Sequence, residues 1–241
     1  AYYGSETKSL SGTFSVVDTH IDTERIGVGY GSFSASDVSK SKKPHYSDMS
    51  VGWDKINIEH DLSNGGKGST FKKVITRDKE GIYRFGISGV DKAGNQVVQS
   101  SGEAKKTGYK STVQVEKGKN GKFWTWHKVL DKTAPTGDLK IGDYYHVSMD
   151  SHGNNTLDTK NYNPYRSEKK ANVSITSKDL SPIRITYDID STVSGQNQKH
   201  ADKDYANNNK KSTSVNGEQI FHVSDLLLID RAGNKTGFYK K

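Results

Sequence analysis

The sequence predicts an all-β fold made of two β-sandwich modules in tandem. Apolar and polar residues alternate along many short segments, which is typical of strands with one buried face. Clusters of Gly, Asn, Asp and Ser interrupt these segments, as turns between antiparallel strands do. One phrase, Asp-(Lys/Arg)-Ala-Gly-Asn, occurs at Asp91–Asn95 and again at Asp230–Asn234. A phrase repeated late in each half of the chain indicates two copies of one kind of module.

Composition supports two small cores rather than one large core. The 241 residues are 31% hydrophobic and include 24 Gly but no Cys. The lack of Cys excludes disulfides, thiolate metal sites and Cys nucleophiles, and it favours a bacterial over an animal secreted protein. No apolar run approaches the ~20 residues of a membrane helix, so we expect no membrane insertion in this fragment.

The first module is predicted over residues 1–132. Segments 35–54 and 63–69 are predicted loops because turn-forming residues dominate them. Residues 102–130 exceed a minimal sandwich and are predicted to form an extra β-hairpin insertion. The strands predicted before that insertion are Thr13–Val17, Arg25–Phe33, Lys55–Glu59, Ile82–Val90 and Gln96–Gln99.

The second module is predicted over residues 133–241. Alternation at Val173–Ile175 and Ile183–Tyr187 predicts strands there. Ser224–Ile229 is predicted as a strand entered through a bulge or a 3₁₀ turn, because it is too short and too β-branched for a helix. The strongly polar segment Gly195–Thr213 is predicted to be a loop.

The repeated phrase has the chemistry of a tight hairpin turn. Its Asp can accept backbone N–H hydrogen bonds, its Gly and Asn tolerate positive φ, and its Ala lets two strands close. We therefore expect each copy to join the last two strands of its module. The predicted turn residues are Asp91, Gly94, Asn95, Asp230, Gly233 and Asn234.

The order of these phrases resembles the bacterial immunoglobulin-like repeats of large surface proteins, chiefly of Gram-positive bacteria. An apolar strand runs into Asp91–Asn95, and Asp131–Pro135 (Asp-Lys-Thr-Ala-Pro) then opens the next module. The resemblance implies two immunoglobulin-like β-sandwiches, a secreted or cell-surface location and neighbouring domains in a larger parent chain. In family members the opening phrase follows the hairpin closely, whereas here the predicted insertion separates them. Such modules serve as stalks, spacers or adhesive units, and the fold alone does not determine the function.

We therefore predict a non-catalytic surface module, acting as a stalk, spacer or adhesin segment, with no cofactor and no metal. The eight His are scattered, and neither H-E-x-x-H nor G-x-S-x-G occurs. The Gly-rich stretch 27–31 lies in a strand pattern with no helix after it, which does not fit a phosphate loop. The alternative is a glycan-binding accessory region of a larger secreted carbohydrate-active enzyme.

A sugar-binding surface is the best ligand hypothesis from the sequence. Trp124 and Trp126 fall on one face of a predicted strand, and indole faces can stack on sugar rings. Lys122 and Lys128 beside them would favour anionic sugars. The competing interpretation is that both indoles pack the hairpin onto its module. Candidate partners are therefore glycans or host and cell-wall surface components, and residues 144–145 and 161–165 form a second polar-aromatic cluster.

The charged residues are less specific. A net charge of +8 carried mostly by Lys lacks the Arg-rich stripe of a nucleic-acid reader, so no nucleic-acid partner is predicted. Asp188, Asp190, Asp202 and Asp204 lie near the polar loop and are candidate calcium ligands, although their spacing matches no known calcium loop. Solvated carboxylates beside neighbouring Lys residues are the preferred interpretation of this group.

Overall fold

The computed structural model describes residues 1–18, 21–33, 52–55, 58–60, 69–94, 115–117, 122–125, 128–165 and 169–238. These residues form nineteen β-strands and no helix, which confirms the predicted all-β class. Within them there is accordingly no helix long and apolar enough to cross a membrane. Backbone contacts divide the chain into two compact units, Ala1 with Thr7–Leu130 and Tyr2–Glu6 with Asp131–Lys241.

The first unit contains two antiparallel sheets. Strand β1, Tyr2–Tyr3, falls in the second unit; the first unit has β2 Leu10–Asp18, β3 Ile21–Phe33, β4 Gly52–Lys55, β5 Ile58–His60, β6 Ser69–Arg77, β7 Gly81–Asp91, β8 Val115–Lys117, β9 Lys122–Thr125 and β10 Lys128–Leu130. One sheet runs β10-β7-β3-β4, with β9 paired to both β7 and β8. The other runs β2-β6-β5.

The core of the first unit lies where these two sheets meet. Leu10 and Ile75 come from the smaller sheet, and Phe85 and Leu130, both 0% exposed, come from the larger. A Cβ atom on Gly12 would lie 2.6 Å from the Phe85 side chain. Glycine is therefore needed at this position because the strand passes directly over the ring.

Within the predicted insertion, β8 and β9 pair as an antiparallel hairpin, through Glu116↔Trp124. Strands β9 and β10 pair with successive parts of β7, through Gly86↔Trp124 and Ile82↔Val129. Strands β9 and β10 are thus neighbours of β7 in the larger sheet, because the edge of β7 offers backbone donors and acceptors. The predicted strand Gln96–Gln99 lies outside the described residues.

Other strand boundaries in the first unit agree approximately with the prediction. Strands β2, β3 and β7 each contain the predicted strand and extend beyond part of it. The predicted strand Lys55–Glu59 is instead divided between β4 and β5, which belong to different sheets. Strand β4 begins at Gly52, inside a predicted loop, because its backbone pairs with Gly27–Tyr30 of β3.

The second unit contains nine further strands in two antiparallel sheets. They are β11 Thr136–Ile141, β12 Tyr145–Met149, β13 Asn155–Leu157, β14 Lys170–Lys178, β15 Ile183–Ser191, β16 Gln198–Ala201, β17 Lys210–Asn216, β18 Phe221–Asp230 and β19 Lys235–Phe238. The larger sheet runs β13-β12-β11-β14-β17, and the smaller runs β16-β15-β18-β19.

One hydrophobic core joins the two sheets of the second unit. Alternate residues of β14 and β15 point inward, which gives Ile175, Ile183 and Ile185 exposures of 1%, 0% and 0%. The larger sheet supplies Leu139, Met149, Val173, Ile175 and Val215, and the smaller supplies Ile183, Ile185, Tyr187, Ile189, Val223, Leu226 and Leu228. The unit is therefore a two-layer β-sandwich.

Two local predictions for the second unit have clear outcomes. The bulge predicted near Ser224–Ile229 is confirmed by a register shift between Thr186 and Asp188 on β15, opposite Asp225 with φ +51°. The segment predicted as a polar loop, Gly195–Thr213, instead contains β16 and the start of β17. Asn209 within it is only 4% exposed because its side chain donates to the Ile183 carbonyl at 3.0 Å.

Candidate functional site

The second copy of the repeated phrase forms the turn between β18 and β19. The Asp230 carboxylate accepts a hydrogen bond from the Asn234 amide at 2.8 Å. Main-chain bonds close the turn, because the Asp230 amide donates to the Asn234 carbonyl at 3.0 Å and the Gly233 amide donates to the Asp230 carbonyl at 3.2 Å. Gly233 has φ +97°, a conformation that favours glycine over other residues.

The Asn234 side chain connects this turn to two distant parts of the sequence. Its Nδ2 group donates to Asp230 Oδ2 and to the Asp131 carbonyl, both at 2.7 Å. Its Oδ1 accepts from the Ser5 amide at 3.2 Å. Asn234 is 7% exposed, so these bonds lie largely out of water. Asn234, the final residue of the repeated phrase, thus links the turn by a hydrogen bond to Asp131 of the opening phrase.

The first copy is only partly described. Asp91 is the last residue of β7, and Gly94 has φ +88°, close to the φ of Gly233. Asn95 lies outside the described residues. The two copies therefore share the position of the Asp at a strand end and the left-handed Gly.

Three aspartates meet at the end of the second sandwich where β18 turns. Oxygen atoms of Asp131, Asp179 and Asp230 all lie within 4.8 Å of one another. Asp131 and Asp230 are 1% and 0% exposed, and Asp179, directly after β14, is partly buried. We call these residues the aspartate cluster. It is the one group of three acidic or metal-ligating side chains this close together in the described part of the chain.

Backbone amides hold part of the cluster. Asp131 Oδ2 accepts from the Ser181 amide at 3.0 Å, and Asp179 Oδ1 accepts from the Leu180 amide at 2.7 Å. Asp179 Oδ2 is buried and, among the described residues, has no hydrogen-bond partner, and the same holds for the Ser181 hydroxyl. Sequence reasoning singled out Asp131 and Asp230 through their phrases but missed Asp179, which follows a strand with no motif around it.

The environment of Asp179 favours the protonated form of its carboxyl. Burial raises the pKa of the Asp179 carboxyl to about 9, and the neighbouring Asp131 and Asp230 carboxylates add to the rise. Close carboxylates cannot all ionise in a low-dielectric interior without a large electrostatic cost. A proton on Asp179 removes one negative charge and lets that carboxyl donate a hydrogen bond to Asp230.

A hard divalent cation is the other species that such oxygens can hold. Calcium takes six to eight oxygen ligands, more than three carboxylates and one serine hydroxyl supply in monodentate form. A single proton needs only one donor and one acceptor. Bidentate carboxylates, backbone carbonyls or water would have to complete a calcium shell here, and a calcium titration distinguishes a bound cation from a proton.

The four aspartates considered as calcium ligands do not form a cluster of this kind. Asp188 pairs with Lys199 at 3.2 Å, and Asp190 accepts from the Ser224 hydroxyl at 2.6 Å. Asp202 is nearly buried and pairs with Lys211 at 2.6 Å. Burial opposes its ionisation, yet hydrogen bonds led by the one from Lys211 lower the pKa of Asp202 below its ordinary value. The role of Asp202 at the centre of a structural network could not be predicted from the sequence, because its partners come from several strands.

The predicted glycan residues are only partly within the described region. Trp124 and Lys122 lie in β9, opposite Gly86 and Ser88 of β7, and their side chains are not described. Trp126 lies outside the described residues. Lys128 donates to the Ser11 carbonyl at 2.9 Å, and burial lowers the pKa of its ammonium group. Lys128 thus contacts Ser11 of its own unit, and its role in binding an anionic sugar stays a prediction.

The second polar-aromatic cluster comes together around the end of β12. The rings of Tyr145 and Tyr162 lie 5.9 Å apart, and the Asn163 amide donates to the Tyr144 carbonyl at 3.1 Å. Tyr165 is 85% exposed, whereas Tyr144 is buried. The loop therefore rests on its own sandwich through one part and exposes a tyrosine from another.

Comparisons with protein-family models, with curated proteins and with solved structures found no match to this chain. Its function is therefore inferred from its own residues and their geometry.

Proposed function

We propose that the chain is a non-catalytic tandem module of a bacterial surface protein, with two immunoglobulin-like sandwiches that act as a stalk or adhesin segment. The observation that supports this most directly is the burial of the aspartates in the opening and hairpin phrases. Asp131 of the opening phrase and Asp230 of the hairpin phrase lie together in the aspartate cluster, at 1% and 0% exposure. Groups so buried cannot reach a polymeric substrate, so the phrases serve the framework of the module.

One surface constellation of catalytic residue types does not have catalytic geometry. Asp138 Oδ1 accepts from the Ser148 hydroxyl at 2.7 Å and lies 2.8 Å from His146 Nε2. The serine hydroxyl therefore donates its hydrogen bond to the carboxylate, and its oxygen is 3.4 Å from the same histidine nitrogen. An activated serine needs the histidine between itself and the aspartate. The arrangement is that of a polar cross-strand cluster on β11 and β12.

Mechanical unfolding of single molecules tests the stalk role. We expect two separate unfolding events when the chain is pulled from its ends, one for each sandwich, because each unit has its own core. Asn234→Ala should lower the force of one event and leave the other unchanged. A chain that extends without resistance, or that hydrolyses a glycan or peptide, would contradict the proposal.

The alternative function, glycan binding by an accessory region of a carbohydrate-active enzyme, makes its own prediction. If Trp124 and Trp126 stack on sugars, the double change Trp124→Ala with Trp126→Ala abolishes binding on a glycan array and leaves the melting temperature unchanged. Our proposal predicts the opposite result: no glycan retained by these two indoles, and a melting temperature lowered by several degrees because packing is lost. Tyr165→Ala, at an exposed position, is the matched aromatic control for both measurements.

A further inference from the structure

A basic and aromatic surface lies beside the smaller sheet of the second unit. The Arg184 guanidinium carbon lies 4.5 Å from the centre of the Tyr205 ring, and that of Arg231 lies 5.6 Å from the same ring. Arg231 also lies 5.3 Å from the centre of the Tyr2 ring. Arg231 is exposed, and the other three residues are partly exposed. We call Tyr2, Arg184, Tyr205 and Arg231 the arginine–tyrosine patch.

The strand register adds a third cation beside the patch. Arg184 on β15 faces Ile229 on β18, and Ile229 faces Lys235 on β19. Residues directly opposite each other in antiparallel strands project from the same face of the sheet. Arg184 and Lys235 therefore flank Ile229 on the outer face, and Arg231 follows in the turn between β18 and β19.

Within the described part of the chain, the contacts that orient the two arginines are with rings and not with acids. Among the described residues, neither Arg184 nor Arg231 makes a salt bridge with a carboxylate. Asp230, the acidic neighbour of Arg231 in the sequence, is 0% exposed and points into the aspartate cluster. A guanidinium that packs its face on a tyrosine keeps its N–H edge available to a bidentate oxyanion.

We propose that the arginine–tyrosine patch binds the carboxylate or phosphate groups of an acidic polysaccharide. The Arg184 and Arg231 guanidinium groups both contact Tyr205, so less side-chain entropy is lost when they bind an oxyanion. Tyr2 and Tyr205 contribute hydroxyl groups and ring edges suited to a sugar's mixed polar and apolar surface. This inference goes beyond the structural role proposed above and does not depend on it.

The same features disfavour a nucleic acid. Single strands bind aromatic platforms whose faces are free for bases, whereas arginines already occupy faces of Tyr205 and Tyr2. A duplex needs a longer run of phosphate contacts than three cations supply. An acidic polysaccharide needs only a few oxyanion contacts at each of many equivalent positions along its chain.

Biolayer interferometry on the full chain tests the proposal with immobilised polygalacturonate, which carries carboxylates, and, separately, a phosphomannan, which carries phosphates. We expect binding to at least one of them, and the stronger signal identifies carboxylate or phosphate as the recognised group. Arg184→Gln with Arg231→Gln should weaken that binding about tenfold or more, because two charge-assisted bidentate contacts are lost. Arg231→Lys should retain part of the affinity, since lysine keeps the charge without the fork.

The matched control is Lys140→Gln with Lys178→Gln, which removes the same charge from exposed positions on the other sheet. It should leave the affinity unchanged. The proposal is overturned if neither polymer binds, if the control weakens binding as much as the arginine variant, or if duplex DNA or polyglutamate binds as tightly as the polysaccharides. The melting temperature of each variant is compared with that of the parent chain. If the double arginine variant unfolds, the affinity of Arg231→Lys, which keeps the charge, tests the proposal instead.

Discussion

Asp179→Asn is expected to stabilise the second sandwich above neutral pH and to flatten its dependence on pH. In the folded chain the pKa of Asp179 is about 9, against an ordinary value of 3.8. Between these values the folded state holds a proton that the unfolded state has released. This contribution to stability is therefore complete below pH 3.8 and is progressively lost as the pH rises to about 9. Asn is neutral throughout and can still donate to Asp230.

The measurement is a series of chemical denaturation curves between pH 4 and pH 9. The difference in unfolding free energy between variant and parent should grow in favour of the variant as the pH rises. Asp143→Asn, at an exposed position, controls for the loss of one carboxylate. An unchanged pH profile in Asp179→Asn would contradict the shared proton. A melting temperature raised by millimolar calcium in the parent and not in Asp179→Asn would show that the cluster holds a cation.

Asn234→Ala is expected to destabilise the second sandwich by about 2–4 kcal/mol, because it leaves several buried groups without partners. The lost bonds join the side chain to Asp230, to the Asp131 carbonyl and to the Ser5 amide. The Asp230 carboxylate then keeps fewer donors in a site that is 0% exposed. Thermal and chemical denaturation both report the change.

The control for that substitution is Asn216→Ala, an exposed asparagine at the end of β17. Exposed substitutions away from caps and networks usually change stability by no more than about 0.5 kcal/mol. If the two alanine variants were equally stable, the final Asn of the repeated phrase would not be the structural link that its hydrogen bonds indicate.

Strand positions could be predicted where one face of a strand is buried. At Val173 and Ile175 of β14, and at alternate positions from Ile183 to Ile189 of β15, the residues are apolar and buried, so the period of two in the sequence matches the burial directly. Strands β13 and β16 could not be predicted from alternation, because their residues are mostly polar and at least partly exposed. Such strands form because backbone groups pair with a neighbouring strand, and that neighbour is not visible in the local sequence.

The aspartate cluster could also be predicted only in part from the sequence. Asp230 could be assigned to a turn because Gly and Asn follow it at fixed positions, and a turn is a local structure. Asp131 was assigned to a junction, but it belongs to the second unit and contacts Ser181 there. The place of Asp179 in the cluster could not be predicted from the residues around it, since its environment is formed by residues distant in the chain. The same is true of the arginine–tyrosine patch, in which each member comes from a different segment.

The all-β class, the repeated hairpin phrase and the absence of cysteine chemistry can be predicted from the residues in order, because alternation, turn propensity and composition act over a few residues. Three features appear only in the folded chain: which carboxylates share one buried space, which arginines lie over tyrosines and which polar segments become strands. Electrostatic coupling and burial depend on distances through space, so groups far apart in the chain acquire their chemistry only when the two sheets of a sandwich bring them together.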